Sequence, residues 1–192
     1  MASDTRNRML EAAVSALRRH GVAGMSFSEI LAASNAARGA IYHHFPGGKA
    51  QLVAEAAALN GREVRGRFEA LPVTNPRQFV DEFLTLVRPV VAASSAGLGC
   101  AVAAVAVGYA PGDDEAMHDA PAAAFRSWVD VLADRLAATG LPSDDAADLA
   151  TTLIVLLEGA QVLCRAASSI EPFDQMCRAA RAMVGSRYPA DS

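Results

Sequence analysis

The chain has 192 residues, 52% hydrophobic and 20% charged, which supports a sizeable buried core and excludes a disordered or collagen-like polypeptide. Its formal net charge of −4 excludes a uniformly basic nucleic-acid binder, but the average hides an asymmetry. Residues 1–50 hold six basic side chains (Arg6, Arg8, Arg18, Arg19, Arg38, Lys49) against three acidic ones (Asp4, Glu11, Glu29), so the remainder carries −7, the pattern of a small basic head on a larger acidic body.

In chain order, Asp4 to His20 predicts a first helix with Leu10, Ala13, Val14 and Leu17 on one buried face. Arg18, Arg19 and His20 fall in its last turn, where they serve the helix dipole or reach a phosphate, and Gly21 supplies a left-handed stop. Ser26 to Lys49, SFSEILAASNAARGAIYHHFPGGK, then reads as two short helices joined by a tight turn. Ser26 caps the first, Glu29 completes a capping box, and Met25 and Ile30 form a hydrophobic staple. That helix runs to about Ala33. Ser34 and Asn35 carry turn chemistry, and the second helix is expected from Ala37 to Phe45, ended by Pro46-Gly47-Gly48. Such a helix-turn-helix offers its second helix to the DNA major groove.

Lys49 opens a long helix to about Glu69, the physical link between head and body. Further helices are expected from Asn75 to about Ala93, from Leu98 to Gly108, from the Pro111-Gly112-Asp113-Asp114 opening to Thr139, from Ser143 (as cap) to Ala167, and from Pro172 to Gly185. The expected fold is all-α with about nine helices: a helix-turn-helix domain over 1–48 and a ligand-binding and dimerisation domain over 49–192. Pro89 to Gly112 is 24 residues without a charge, long enough to cross a bilayer. It is rich in Ala, Gly and Ser and interrupted by turn residues, so it reads as a helix end, a loop and a short buried helix, with no membrane partner.

The segment RGAIYHHFPGGKAQL resembles the signature of the TetR family of transcriptional regulators: a small and a basic residue before G-x-hydrophobic-Y-x-x-F, then a Lys opening the next helix. The resemblance covers the first 55 residues most strongly, and GCAVAAVAVG with LLEGAQVLCRA is similar to the LmrA-type branch. It implies a DNA-binding, homodimeric, cytoplasmic repressor, released from a palindromic operator by a small hydrophobic effector. It implies backbone contacts by Tyr42 and Lys49 and positions near base edges for Arg38, Ala40 and His43. Gly39, which lets backbones approach closely, and Ser28 complete the expected DNA-binding set. The family usually has Ser or Thr where Ala37 stands, and often Thr at Ala40. Since Ala cannot cap, Asn35 starts the reading helix earlier or a cap worth ~1 kcal/mol is missing.

In the body, the helix from Leu149 to Ala167 is apolar nearly all round and must be covered on two sides. The expected dimer interface is Leu153, Leu156, Leu157, Ala160, Leu163, Phe173, Met176 and Ala180, two helices from each subunit forming a four-helix bundle; the alternative is that the 153–164 helix is central in the monomer. Glu158 and Gln161 interrupt that helix, and either bond across the bundle or line an effector pocket whose apolar walls are Phe83, Val87, Cys100, Met117, Phe125 and Trp128.

Enzyme signatures are poor and no cofactor is expected. Gly97-Leu98-Gly99-Cys100 lacks the third glycine and the preceding strand of a dinucleotide loop. Glu115-x-x-His118 has di-iron spacing, and with Glu158 it defines the rival reading, a helical metal-binding or enzymatic protein. Asp113, Asp114 and Glu115 are better explained as first-turn acids. His43 and His44 project about 100° apart and do not chelate one ion. Cys100, Cys164 and Cys177 have no CxxC pairing, which with the polar start MASDTRNRML points to reduced thiols in a cytoplasm.

Overall fold

The computed structural model describes residues 2–110, 112 and 114–188, with only the backbone of Ala2 and Ser3. Pro111 and Asp113, expected at the opening of the long helix, lie outside these. The described residues form nine helices and no strand: α1 (Ala2–Gly24), α2 (Phe27–Ser34), α3 (Ala40–His44), α4 (Gly48–Glu69), α5 (Pro76–Ser95), α6 (Ala101–Gly108), α7 (Glu115–Ala137), α8 (Ser143–Ala167) and α9 (Glu171–Arg187). The all-α expectation holds. Gly21 interrupts α1 at φ 66°, the left-handed conformation its glycine permits. Asn75 caps α5, its side chain accepting from the Gln78 amide at 3.0 Å. Ser143, in contrast, does not cap α8. It is already inside the first turn, the cap position is Pro142, and no side chain caps there. Asp144 and Asp145 do fall in that turn.

Packing divides the chain into two compact units. One takes residues up to Glu63 and Gly99–Arg126; the other takes Val64–Leu98 and residues from Ser127 onward. The first is larger than the 1–48 segment, because it includes most of α4, all of α6 and the first half of α7. Its core gathers Met9, Leu17, Ile30, Ile41, Phe45, Leu52 and Val53 with Ala101, Val105 and Met117. Within it α1 packs on both α2 and α6. Residues 97–100 bring α6 back to α1 through a reciprocal pair: the Gly99 amide donates to the Arg18 carbonyl at 2.8 Å, and Arg18 Nε donates to the Gly99 carbonyl at 3.1 Å. Arg18 is thereby committed inside this unit.

In the second unit α5 packs on α8 and α9, and α8 on α9. Phe68 lies against Phe83 and Trp128, with ring centroids 5.5 and 6.1 Å away. Arg77 of α5 closes the last turn of α9, donating to the carbonyls of Gly185 at 2.6 Å and Tyr188 at 2.8 Å, groups left without helical partners. Arg88–Asp174, Arg181–Asp81 and Arg187–Asp145 are exposed ion pairs at 2.5 to 2.6 Å. The hydrogen bond from Arg88 lowers the Asp174 carboxyl from its ordinary pKa. Such pairs align helices more than they stabilise them.

Most of the expected dimer set is covered within the single chain. Leu153, Leu157, Ala160, Phe173 and Ala180 are buried inside the protomer, and Leu156 and Met176 are partly covered. Only Leu163 of that set is largely exposed. The apolar periodicity of α8 serves two purposes: one stripe meets α5 and α9, while Val155, Val162 and Leu163, 58 to 66% exposed, form another. α8 is also the one described helix long and apolar enough to cross a bilayer. The 89–112 stretch is divided between the end of α5, a loop and α6.

One close approach sets the spacing of α4 and α7 in the first unit. A Cβ added at Gly61 would lie 2.7 Å from the Ala124 Cβ. Gly61→Ala is therefore expected to lower unfolding free energy by about 1–3 kcal/mol through overpacking, despite the better helix propensity of Ala. Ala124→Gly in the same chain should recover part of that loss. Urea melts of the three variants measure it, and an unchanged single mutant would show that the helices separate freely.

Candidate nucleic-acid interface

The motif is assembled from caps inward. Ser26 Oγ accepts from the Glu29 amide at 3.3 Å. Glu29 lies 3.4 Å from His20 Nε2 at the end of α1, tying α2 to α1. Met25 and Ile30 are both buried in the same core, as the staple requires. Asn35 stops α2 in the left-handed region at φ 51°, and the Ala36 amide reaches back to the Leu31 carbonyl at 3.0 Å, a Schellman-type closure. Ser34 is buried, its hydroxyl donating to the Ile30 carbonyl at 2.7 Å, while its own carbonyl accepts from Arg8 Nε at 3.1 Å.

With Asn35 committed to ending α2, it cannot start α3. The reading helix begins at Ala40, three residues later than Ala37, and its cap position, Gly39, makes no side-chain hydrogen bond. The Ala40 amide closes a turn onto the Ala37 carbonyl at 2.9 Å. What remains is the five-residue helix Ala40–His44, held from beneath. Ile41 and Phe45 are fully buried, whereas Arg38, Gly39 and His43 are exposed and Ala40 and His44 partly so. Tyr42 is 64% exposed, and its ring stands edge-on to Phe27 with centroids 5.9 Å apart. Ser28 is exposed at the start of α2 beside Ser26, their hydroxyl oxygens 3.1 Å apart. Lys49, partly exposed, is the second residue of α4, immediately after Gly48, which turns the chain at φ 67°. Ser28, Arg38, Gly39, Ala40, Tyr42, His43 and Lys49 therefore all belong to one unit and all retain exposed surface. Gln51 and Glu55, which no sequence motif marks, bond in series behind this turn.

The profile described as "Bacterial regulatory proteins, tetR family" matches residues 9–56, and "Transcriptional regulator LmrA/YxaF-like, C-terminal domain" matches residues 76–179. A helix-turn-helix-type transcriptional regulator of Mycobacterium tuberculosis is 32% identical over 192 residues, covering 97% of each chain. The chain belongs to the TetR family. Its second matched domain places it in the LmrA-like branch, and the regulator LmrA of Bacillus subtilis is 26% identical, covering 88% of this chain and 90% of its own. Among solved structures, the TetR-family regulator CifR, a cysteine mutant complexed with 26-bp double-strand operator DNA, superposes with a TM-score of 0.71 at 25% identity, covering 92% of this chain and 94% of that one. TetR-family members are transcriptional regulators, not enzymes; they bind operator DNA and act as dimers.

The expected effector residues are distributed over both units. Phe83, Val87, Trp128, Glu158 and Gln161 fall in the second; Cys100, Met117 and Phe125 fall in the first. Met117 packs in the core beneath the reading helices, and Cys100 Sγ accepts from the Ala103 amide at 3.4 Å, capping α6. In the second unit Gln161 is buried, its Oε1 3.4 Å from the Ser94 hydroxyl and its Nε2 3.4 Å from Glu158 Oε1. This is the intramolecular bonding option for the two polar interruptions of α8. Among the described residues no three His, Cys, Asp or Glu side chains converge on a metal position. His118 instead contacts Asp119 at 3.2 Å and the Tyr109 ring at 5.5 Å.

Proposed function

We propose that the chain is a homodimeric repressor whose two α3 helices enter successive major grooves of a palindromic operator, about 34 Å apart on one face. The observation that carries this reading is the division of α3 into two sides. Ile41 and Phe45 are fully buried, while Tyr42 and His43 are exposed beside Arg38. In this reading the Tyr42 hydroxyl and the Lys49 ammonium meet phosphates, as does Ser28. Arg38 pairs with a guanine edge, the Ala40 methyl meets thymine, His43 lies at a base edge, and Gly39 lets the backbone come close. The protein acts in the cytoplasm, where the DNA is.

The second copy is proposed to seat on the exposed stripe of α8. Val155, Gly159 and Val162 recur at i, i+4 and i+7 with Leu163 beside them, and Met183 of α9 is likewise exposed. The four-helix bundle of the sequence reading is retained, but its side chains change to those the protomer leaves uncovered. A small hydrophobic effector would enter the second unit beside the Phe83–Phe68–Trp128 cluster, with Gln161 and Glu158 as polar contacts. It releases DNA only by its difference in affinity between the two states.

Three measurements test these statements. On a duplex selected from a random library by the parent protein, Tyr42→Phe and Lys49→Ala should each weaken binding about five- to tenfold, and only Lys49→Ala, which removes a charge, should also flatten its salt dependence. Parental anisotropy curves for the double variant would remove both contacts. Val162→Glu should convert the dimer to monomer in sedimentation velocity while retaining helical circular dichroism; a persistent dimer would discard the α8 stripe. Trp128 is the single tryptophan of the chain, so a hydrophobic compound that dissociates the duplex should also change its fluorescence. Release with no change in emission would place the effector elsewhere.

A further inference from the structure

Residues 45–55 and the start of α1 are joined in a closed circuit behind the turn that presents Lys49. The Gly47 amide donates to Gln51 Oε1 at 2.8 Å, and Gln51 Nε2 donates to Glu55 Oε1 at 2.9 Å. Arg6 donates to the other carboxylate oxygen of Glu55. The same guanidinium lies over the ring of Phe45, 5.1 Å from its centroid, and Phe45 immediately follows α3 and precedes Pro46-Gly47.

Every group in this circuit has a determined sense. The Gly47 amide can only donate, so Gln51 must present its oxygen there and its NH₂ to Glu55. Gln51 and Glu55, four apart, share one face of α4, and Gly47 lies four residues before Gln51 in the turn that leads into it. Gly47 makes room for the arrangement: a Cβ at that position would lie 3.1 Å from both Cβ and Oε1 of Gln51. The next amide, Gly48, is bonded to the Phe45 carbonyl at 2.9 Å. Both glycine amides are therefore committed inside the turn. Lys49 and Ala50 follow at the start of α4, both partly exposed, where no preceding carbonyl of the helix reaches their amides. Arg6 also neutralises a carboxylate that would otherwise sit behind a DNA-facing surface.

We propose that Gln51 and Glu55 are positioning residues for operator binding. They touch no DNA, but lock the α3–α4 turn so that Lys49 and the amino end of α4 meet one backbone phosphate, while Arg6 anchors the circuit on Phe45. This inference rests on the DNA-binding reading above, and a mutant cycle separates the two. With the full-length protein and the same selected duplex, Gln51→Ala should weaken binding about tenfold and reduce the slope of log affinity against log salt by about one per reading head, as expected for one lost phosphate contact. In a Lys49→Ala background the same substitution should cost nothing further, because coupled residues are not additive. Glu55→Ala should behave like Gln51→Ala, and Glu55→Gln, which keeps the acceptor for Gln51 but turns an NH₂ toward Arg6, should lie between that variant and the parent. Gly47→Ala, which crowds Gln51 without altering its chemistry, should reproduce the loss should Gln51→Ala fold poorly in thermal melts. A Lys49→Ala loss beside silent Gln51→Ala and Gly47→Ala, or losses that add, would overturn the positioning circuit alone. A silent Lys49→Ala would overturn the phosphate assignment and the circuit's purpose with it.

Discussion

A helix of five residues does not hold itself together in water, because nucleation costs more than so few hydrogen bonds return. α3 has that length and no side-chain cap at its start. Its conformation is imposed by burial of Ile41 and Phe45 in a core supplied by α1, α2, α4 and α6. Tyr42 and His43, proposed to face DNA, are thus the outer side of an element whose inner side is the reason it exists. Substitutions at the outer positions leave the helix in place, while loss of either anchor removes the helix and the surface together.

That dependence accounts for much of the first unit. Gly21 kinks α1 before Met25 enters the core, Ser26 and Asn35 set the two ends of α2, and Arg8 holds the Ser34 carbonyl at the turn. α6, although it follows 100 residues of chain, belongs to the same packing, with Ala101 and Val105 in the core and Gly99 bonded to Arg18. The basic surplus of the first 50 residues is similarly divided. Arg6, Arg8 and Arg18 are engaged inside the unit, so the positive surface offered to DNA is narrower than a count of charges implies.

The second unit shows the opposite economy. α8 has more apolar surface than one protomer covers: Leu149, Leu153, Leu157 and Ala160 meet its own core, while Val155, Val162 and Leu163 do not. Hydropathy along the sequence reports that a helix needs two neighbours, but not which side each neighbour takes, because apolar residues look alike to an intramolecular and an intermolecular partner. Leu153, Phe173 and Ala180, expected at the dimer, are covered within the single chain for that reason. The same limit explains the effector residues. Phe83 and Trp128 both lie against Phe68 in the unit that also holds Gln161, but Met117, equally apolar in sequence, is drawn into the core of the other unit.

Local chemistry was legible from the sequence alone. The Gly21 stop, the Ser26 and Asn75 caps, the Met25–Ile30 staple, the ends of most helices and the Tyr-x-x-Phe reading segment all follow from residues within a few positions of one another, whose energetics barely involve the rest of the chain. Where two local signals competed, the reading faltered: Asn35 was available either to end α2 or to start α3, and only packing decided that it ends α2. Contacts distant in sequence were decided by tertiary structure: Glu55 with Arg6, Gly99 with Arg18, Gln161 with Ser94. Each depends on helices meeting at one orientation, and no spacing within a single helix encodes which side chain will stand opposite.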